Sequence, residues 1–134
     1  MRALIVAAIV LLGSTIASAQ CFPEASCRVT VPPQTQTIAA GDTISDLACG
    51  SVKNITAAGA VTTSETDTFT APSGANAGCI LTVCNQGSQT ITLDSNDHFT
   101  GVSGGDVDLT ELDCVVVAQT GTQWFQISAV LSNN

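Results

Sequence analysis

Short runs of alternating or continuous apolar residues, separated by Gly, Asn, Asp and Ser, fill the chain from Thr35 onward. Alternation with a period of two is typical of strands, and no window shows the apolar stripe of an amphipathic helix. The predicted strands are residues 35–39, 43–47, 51–55, 60–63, 66–70, 79–84, 90–93, 107–112, 114–119 and 123–131. Residues 85–88 and 120–122 are predicted as hairpin turns. The pattern predicts an all-β fold, an antiparallel β-sandwich or barrel-like domain, without a fixed-period repeat.

The first residues follow a different pattern. Arg2 precedes an apolar run over residues 3–12, and the small residues 17–19 stand just before Gln20. This predicts a cleaved signal peptide over residues 1–19, because the run is shorter than the roughly 20 residues that span a bilayer. Lipid modification at Cys21 is disfavoured by the bulky Gln20 before it. We therefore expect a secreted protein, extracellular or at the cell surface.

Two parts are expected after cleavage. Residues 20–34 form a Cys- and Pro-rich N-terminal arm, in which Pro32 and Pro33 favour an extended conformation. Residues 35–134 have the length of a single β-domain.

All six cysteines lie after the predicted cleavage site, where the compartment is oxidising. They are Cys21, Cys27, Cys49, Cys79, Cys84 and Cys114. On one extended strand Cys79 and Cys84 would be about 16 Å apart, whereas a disulfide requires Cα atoms within about 7 Å. Each therefore needs a partner elsewhere, with Cys49 and Cys114 available, and the connectivity stays open. No Cys-x-x-Cys spacing indicates a metal site, so we expect disulfides and no free thiol.

The charge balance excludes some partners. The chain has 11 Asp and Glu against 3 Lys and Arg, a net charge of −8. Nucleic acid is excluded as a direct partner, because so acidic a chain has no patch to neutralise phosphates. Anionic membrane surfaces are disfavoured for the same reason. No later stretch is long and apolar enough to predict membrane insertion.

One segment formally matches a catalytic motif. Residues 101–105 read Gly-x-Ser-x-Gly, the pattern that exposes a nucleophilic serine between a strand and a helix. The residues after Ser103 alternate like a strand, and His98 lies only five positions before it. A glycine-rich loop explains the match better, so we expect a protein that is not an enzyme.

Two further candidates concern ligands. Asp94, Asn96, Asp106 and Asp108 offer oxygen ligands at alternating positions, but the sixth position of such a loop is Phe99 where an EF-hand has glycine. A looser calcium loop is the alternative to a simple Asx turn, and no cofactor or resident metal is expected.

Trp124 beside Phe125 can be read as a platform for stacking a carbohydrate or as a core residue, and the core is favoured. Asn54, Ile55 and Thr56 form an N-glycosylation acceptor sequence, which matters only in a cell that glycosylates there.

Residues 54–127 resemble β-rich segments of bacteriophage tail-fibre and virion surface proteins. The stretches that carry the resemblance are 55–61, 89–93, 107–109, 114–117 and 121–124. The last two form a closing pattern of a valine run, a glycine turn and a tryptophan. The resemblance implies a structural or receptor-binding role, usually in trimers, and no catalysis. The signal peptide and the six cysteines depart from this family and fit an exported filament, adhesin or matrix component better.

The sequence therefore predicts an exported, non-enzymatic β-domain that acts as a structural, self-assembling or adhesive surface protein. Residues 114–119 and 123–131 carry apolar side chains on both faces, which favours a homo-oligomer. A cell-surface molecule or a glycan is a further candidate partner. The alternative is a monomeric secreted binding module for carbohydrate or calcium.

Overall fold

The computed structural model describes residues 32–71 and 78–132. This part of the chain is all-β, as the sequence predicts, and contains no helix. Its nine strands are β1 (Gln34–Ile38), β2 (Val52–Ala57), β3 (Val61–Thr62), β4 (Ile80–Asn85), β5 (Ile91–Leu93), β6 (Phe99–Thr100), β7 (Val107–Leu109), β8 (Cys114–Thr120) and β9 (Gln123–Gln126). The predicted signal peptide and most of the arm, with Cys21 and Cys27, lie outside the described residues.

The strands form two sheets, and both are mixed. A six-stranded sheet has the order β1-β2-β4-β8-β9-β6, and a three-stranded sheet has the order β3-β5-β7. The pairs β1–β2, β2–β4, β3–β5 and β6–β9 are parallel, while β4–β8, β5–β7 and β8–β9 are antiparallel. The expectation of an antiparallel fold is therefore wrong. Parallel neighbours need a crossover rather than a hairpin, and here the β2–β4 crossover runs through β3 of the small sheet, while the β3–β5 crossover runs through β4 of the large one.

Two of the four parallel pairs, β2–β4 and β3–β5, share one spacing along the chain. Val52 pairs with Thr82 in the large sheet, and Val61 pairs with Ile91 in the small one, so both partners lie 30 positions further on. The chain thus makes two successive coils, each visiting both sheets. This 30-residue period is not visible in the sequence, because residues 30 positions apart have unlike side chains, as where Lys53 pairs with Val83.

One hydrophobic core joins the two sheets. Buried side chains alternate with partly exposed ones along β8, where Val115 and Val117 are buried and Val116 is not. The fully buried aromatic ring of Phe69 lies at one end, 5.2 Å from Phe99 in an edge-to-face arrangement. The core members are Ile38, Ile44, Ile55, Phe69, Cys79, Leu81, Val83, Ile91, Leu93, Phe99, Val107, Leu109, Val115, Val117 and Trp124.

Several predicted elements differ in detail. Residues 43–47 and 66–70 form no strand and touch through an isolated parallel bridge between Ile44 and Phe69. Strand β6 was not predicted, because two residues are too short to give an alternating pattern. Strand β9 ends at Gln126, after which the chain leaves the sheet and returns as a bridge between Leu131 and Cys114.

The two predicted turns have opposite outcomes. Thr120 pairs with Gln123 across Gly121 and Thr122, which confirms the β8–β9 hairpin. Gly121 has φ +64°, a left-handed value suited to a two-residue hairpin loop. Residues 85–88 are not a hairpin turn, since they lead from β4 in one sheet to β5 in the other.

Candidate functional site

Of the two described disulfides, one joins the two coils and the other joins the second coil to the antiparallel strand β8. Cys49 is bonded to Cys79 and Cys84 to Cys114, each pair 30 positions apart in the sequence. The prediction that Cys79 and Cys84 do not bond each other is confirmed, and their partners are the two cysteines expected to be available. Cys84 and Cys114 are also register partners in β4 and β8, so the second bridge crosses directly between neighbouring strands.

The calcium candidates Asp94 and Asn96 belong to a hydrogen-bonded turn. The Asn96 amide donates to the Ser64 carbonyl and the Thr68 hydroxyl, both at 2.9 Å. Its Oδ1 accepts from the backbone N–H of His98 at 3.1 Å. The amide is thus committed to holding two loops together, which is the role of an Asx turn rather than of a cation ligand.

The other two candidates, Asp106 and Asp108, also have protein partners. Oδ1 of Asp106 accepts from the Ser95 N–H at 2.9 Å, and Oδ1 of Asp108 accepts from the Thr92 hydroxyl at 2.6 Å. Within residues 32–71 and 78–132, no three or more His, Cys, Asp or Glu side chains are grouped to hold a metal ion.

His98 and Ser103 have separate surroundings. Nδ1 of His98 lies against the Asp67 carboxylate, and Ser103 is exposed in the loop before β7. Gly101 opens this loop, and a Cβ there would stand 2.3 Å from the Gly105 carbonyl oxygen. The first glycine of the motif is therefore explained by the close approach of the loop backbone.

Trp124 lies in the core, which is the location that the sequence favours for it. Its side chain is 3 % exposed, its ring centroid is 6.1 Å from that of Phe69, and its indole N–H donates to the Thr70 carbonyl at 3.4 Å. A ring buried to this degree presents no face to a sugar, so the carbohydrate-stacking interpretation of Trp124 is contradicted.

Asn85 is a fully buried polar residue that sequence reasoning missed. Its amide donates to the carbonyls of Gln89 at 2.7 Å and Leu109 at 2.9 Å, and its Oδ1 accepts from the Gly87 N–H at 2.9 Å. Asn85 ends β4, and its bond to Leu109 reaches β7 of the other sheet. This side chain therefore directs the crossover between the sheets.

We expect Asn85→Ala to lower the free energy of unfolding by about 3 kcal/mol. The substitution leaves the carbonyls of Gln89 and Leu109 without their donor, and each unsatisfied buried group costs about 1–3 kcal/mol. Urea denaturation measures the loss, and Asn54→Ala on the partly exposed side of β2 is the control, with an expected loss under about 1 kcal/mol. Equal losses in the two variants would contradict this role of Asn85.

Asp113 is a buried carboxylate that closes the turn before β8. Oδ2 accepts from the Thr110 hydroxyl at 2.7 Å and from the Thr110 N–H at 2.9 Å. These two bonds, aided by the Ser132 hydroxyl, lower the pKa of Asp113 although burial alone would raise it. Leu112, beside it, has φ +63°, and its backbone N–H donates to the Asn85 carbonyl at 2.9 Å.

The lowered pKa of Asp113 predicts a pH dependence. A carboxyl whose folded pKa lies below its unfolded value of about 3.9 stabilises the fold above that value and loses this contribution as the pH falls through the folded pKa. We expect Asp113→Asn to be less stable than the wild type at pH 7, and the difference to shrink below about pH 4. Urea denaturation at several pH values tests this, and a difference that stays constant with pH would contradict it.

Lys53 is the one cationic side chain in the part of the chain that the structure describes. It points into the core side of β2 and is 2 % exposed. Burial lowers the pKa of its ammonium group, and the nearby charge of Asp46 partly opposes that effect. The lysine therefore contributes no positive charge to the opposite side of the sheet.

That opposite side, which we call the outer face, is uncharged, and it is apolar across its middle strands. Residues alternate between the two sides of a strand, so this apolar part is formed by Val52, Ile80, Thr82, Val116, Ala118 and Phe125, with Ile127 beside Val116. Toward β1 the face continues with polar residues, which are Thr35, Thr37, Asn54 and Thr56. Ile80 is 49 % exposed and Ile127 is 53 % exposed. No Asp or Glu occurs in the six described strands of this sheet.

A groove of about 430 Å³ lies at one end of the outer face, beside the Cys84–Cys114 disulfide. Its lining residues are Thr82, Gln86, Leu112, Cys114, Leu131 and Ser132. Leu112 and Leu131 are 42 % and 55 % exposed. The groove thus extends the uncharged apolar surface instead of forming a separate polar pocket.

Comparison with known proteins gives no assignment. No protein-family model matches the chain, and no curated protein is significantly similar to it. In the described residues, no helix is long and apolar enough to cross a membrane.

Proposed function

We propose that this protein is an exported, non-enzymatic structural domain that self-associates into an extracellular fibre, filament or matrix, or serves as an adhesive surface layer. The observation that carries the proposal is the pair of disulfides between distant segments of the fold. Cys49–Cys79 joins the two coils and Cys84–Cys114 joins β4 to β8, each across 30 positions of sequence, which suits a scaffold that stays folded in an oxidising environment.

The chemistry of the surface supports a structural role. The residues of the serine motif, the calcium candidates and Trp124 are each accounted for by loop or core contacts. The outer face has no such role in loop or core contacts. The resemblance of residues 54–127 to virion surface segments points in the same direction, toward assembly and attachment.

Expression of the full chain in a bacterial host with an oxidising periplasm tests the proposal. We expect cleavage after Ala19, export of the mature protein and no thiol that reacts after denaturation without reductant. A version starting at Gln20, made in the cytoplasm, is the control and should carry reactive thiols. Retention of the full chain in the cytoplasm, or two or more reactive thiols in the exported protein, would contradict the proposal.

A further inference from the structure

We infer that the outer face of the six-stranded sheet binds the same face of a second copy of this chain, with the two sheets packed face to face. This inference rests on the proposed function and identifies the surface and the partner of the self-association.

The first argument is the side-chain composition of the outer face. In register across the sheet, Ile80 pairs with Ala118, which pairs with Phe125. The adjacent row contains Val52, Thr82 and Val116. A single exposed apolar residue is ordinary, but two contiguous apolar rows indicate an interaction surface.

The second argument is the distribution of charge. The chain has a net charge of −8, yet the strands that form this face contain no carboxylate, and their one lysine points inward. A second copy of the same face brings no like charge against it, whereas a cationic partner would find no opposite charge to bind. Apart from the buried Asp113, the acidic residues of the described chain lie in its loops and on β7, away from this face.

The size of the face also bears on the inference. The six strands contain 30 residues, and at about 4.8 Å by 3.3 Å for each residue they give a face of roughly 475 Å² in projection. Its accessible area exceeds the projection because the side chains stand out from it. The face is therefore smaller than the roughly 800 Å² per partner of a standard protein interface before this excess is counted, and sheets packed face to face interdigitate well.

A two-fold pairing of this kind is self-complementary, so the interface closes after two copies and forms a paired unit, and growth of a fibre from such units uses a second surface. The exposure of Ile80, in one row with Ala118 and Phe125, makes it a sensitive test position. Lysine there keeps the monomer folded, since the side chain is already half-exposed, but it places an unpaired charge inside the interface.

Light scattering coupled to size exclusion, on the oxidised protein from Gln20 to Asn134, tests the inference. We expect the mass of two copies for the wild type and a dissociation constant raised at least about 100-fold in both Ile80→Lys and Ile127→Lys. Val102→Lys is the matched control, because Val102 is 67 % exposed in a loop outside this face, and it should associate as the wild type does. Circular dichroism spectra and melting curves confirm that each variant is folded.

The possible outcomes distinguish a failure of this pairing from a failure of the proposed self-associating, extracellular role. The face-to-face pairing is overturned if Ile80→Lys and Ile127→Lys associate as strongly as the wild type, or if the wild type has the mass of three copies. In either case the protein still self-associates. A wild type that stays a single copy at about 100 μM overturns both the pairing and the self-association. Pairing through the outer face in a chain that is not exported would overturn the extracellular role alone.

Discussion

A variant with Cys49, Cys79, Cys84 and Cys114 all changed to alanine is expected to lose about 7 kcal/mol of its free energy of unfolding. Each bridge spans 30 positions, and loop-closure entropy at that length stabilises the fold by about 3–4 kcal/mol. A small domain has only about 5–15 kcal/mol in total. We therefore expect most of the variant to be unfolded at 37 °C.

Urea denaturation of three variants measures this effect. The Cys49→Ala/Cys79→Ala and Cys84→Ala/Cys114→Ala pairs should each lose about half of the total, because each removes one bridge of the same span. Site variants are preferable to chemical reduction, which would also act on Cys21 and Cys27. A quadruple variant within about 1 kcal/mol of the wild type would show that noncovalent packing alone holds the coils together.

The second large effect is expected at Phe69, where alanine should cost about 4 kcal/mol. The ring is fully buried against Phe99 and Trp124, and removing a buried Phe side chain costs about 3–5 kcal/mol through lost transfer energy and the cavity left behind. The residue lies outside the strands, beside Ile44. Its packing, rather than sheet hydrogen bonding, fixes this segment.

Phe69→Leu is the control, because it retains most of the buried volume and should lose under about 1.5 kcal/mol. Both variants are measured by urea denaturation, with Trp124 fluorescence as a probe of the same cluster. A loss below about 1 kcal/mol in Phe69→Ala would mean that this end of the core is open or can collapse freely.

The strands and the β8–β9 hairpin could be predicted from sequence because their signals are local. Val115, Val116 and Val117 favour an extended strand, and Gly121 supplies the φ +64° that the turn requires. That Cys79 and Cys84 do not bond each other could also be predicted, since the length of one extended strand separates them.

The direction of strand pairing could not be predicted, because alternation identifies a strand's two faces and not its neighbour. The crossover after β4 depends on Asn85, whose partner Leu109 is 24 positions away. Asn85 is followed closely by glycine, which is also the signature of a hairpin turn. Only the long-range contact distinguishes the two outcomes.

The candidate ligand sites could not be judged from residue spacing alone either. Asp106, Asp108 and Asn96 have the spacing of ligands, but their oxygens accept from other groups of the protein. The donors to Asp106 and Asp108 are 11 and 16 positions away in sequence, and the donor to Asn96 is the N–H of His98 two positions on. The apolar residues on both sides of β8 were visible in the sequence. That they belong to one uncharged face depends on the registers of β4, β8 and β9, which no single segment encodes.

The central claim is that this domain functions by associating with copies of itself, and sedimentation velocity of the oxidised wild-type protein tests it most directly. The measurement covers residues 20–134 from about 1 to 100 μM at physiological ionic strength. We predict a sedimentation coefficient that rises with concentration to that of two or more copies, with little dependence on salt because the outer face is uncharged. A single species with the mass of one copy throughout this range would contradict the account.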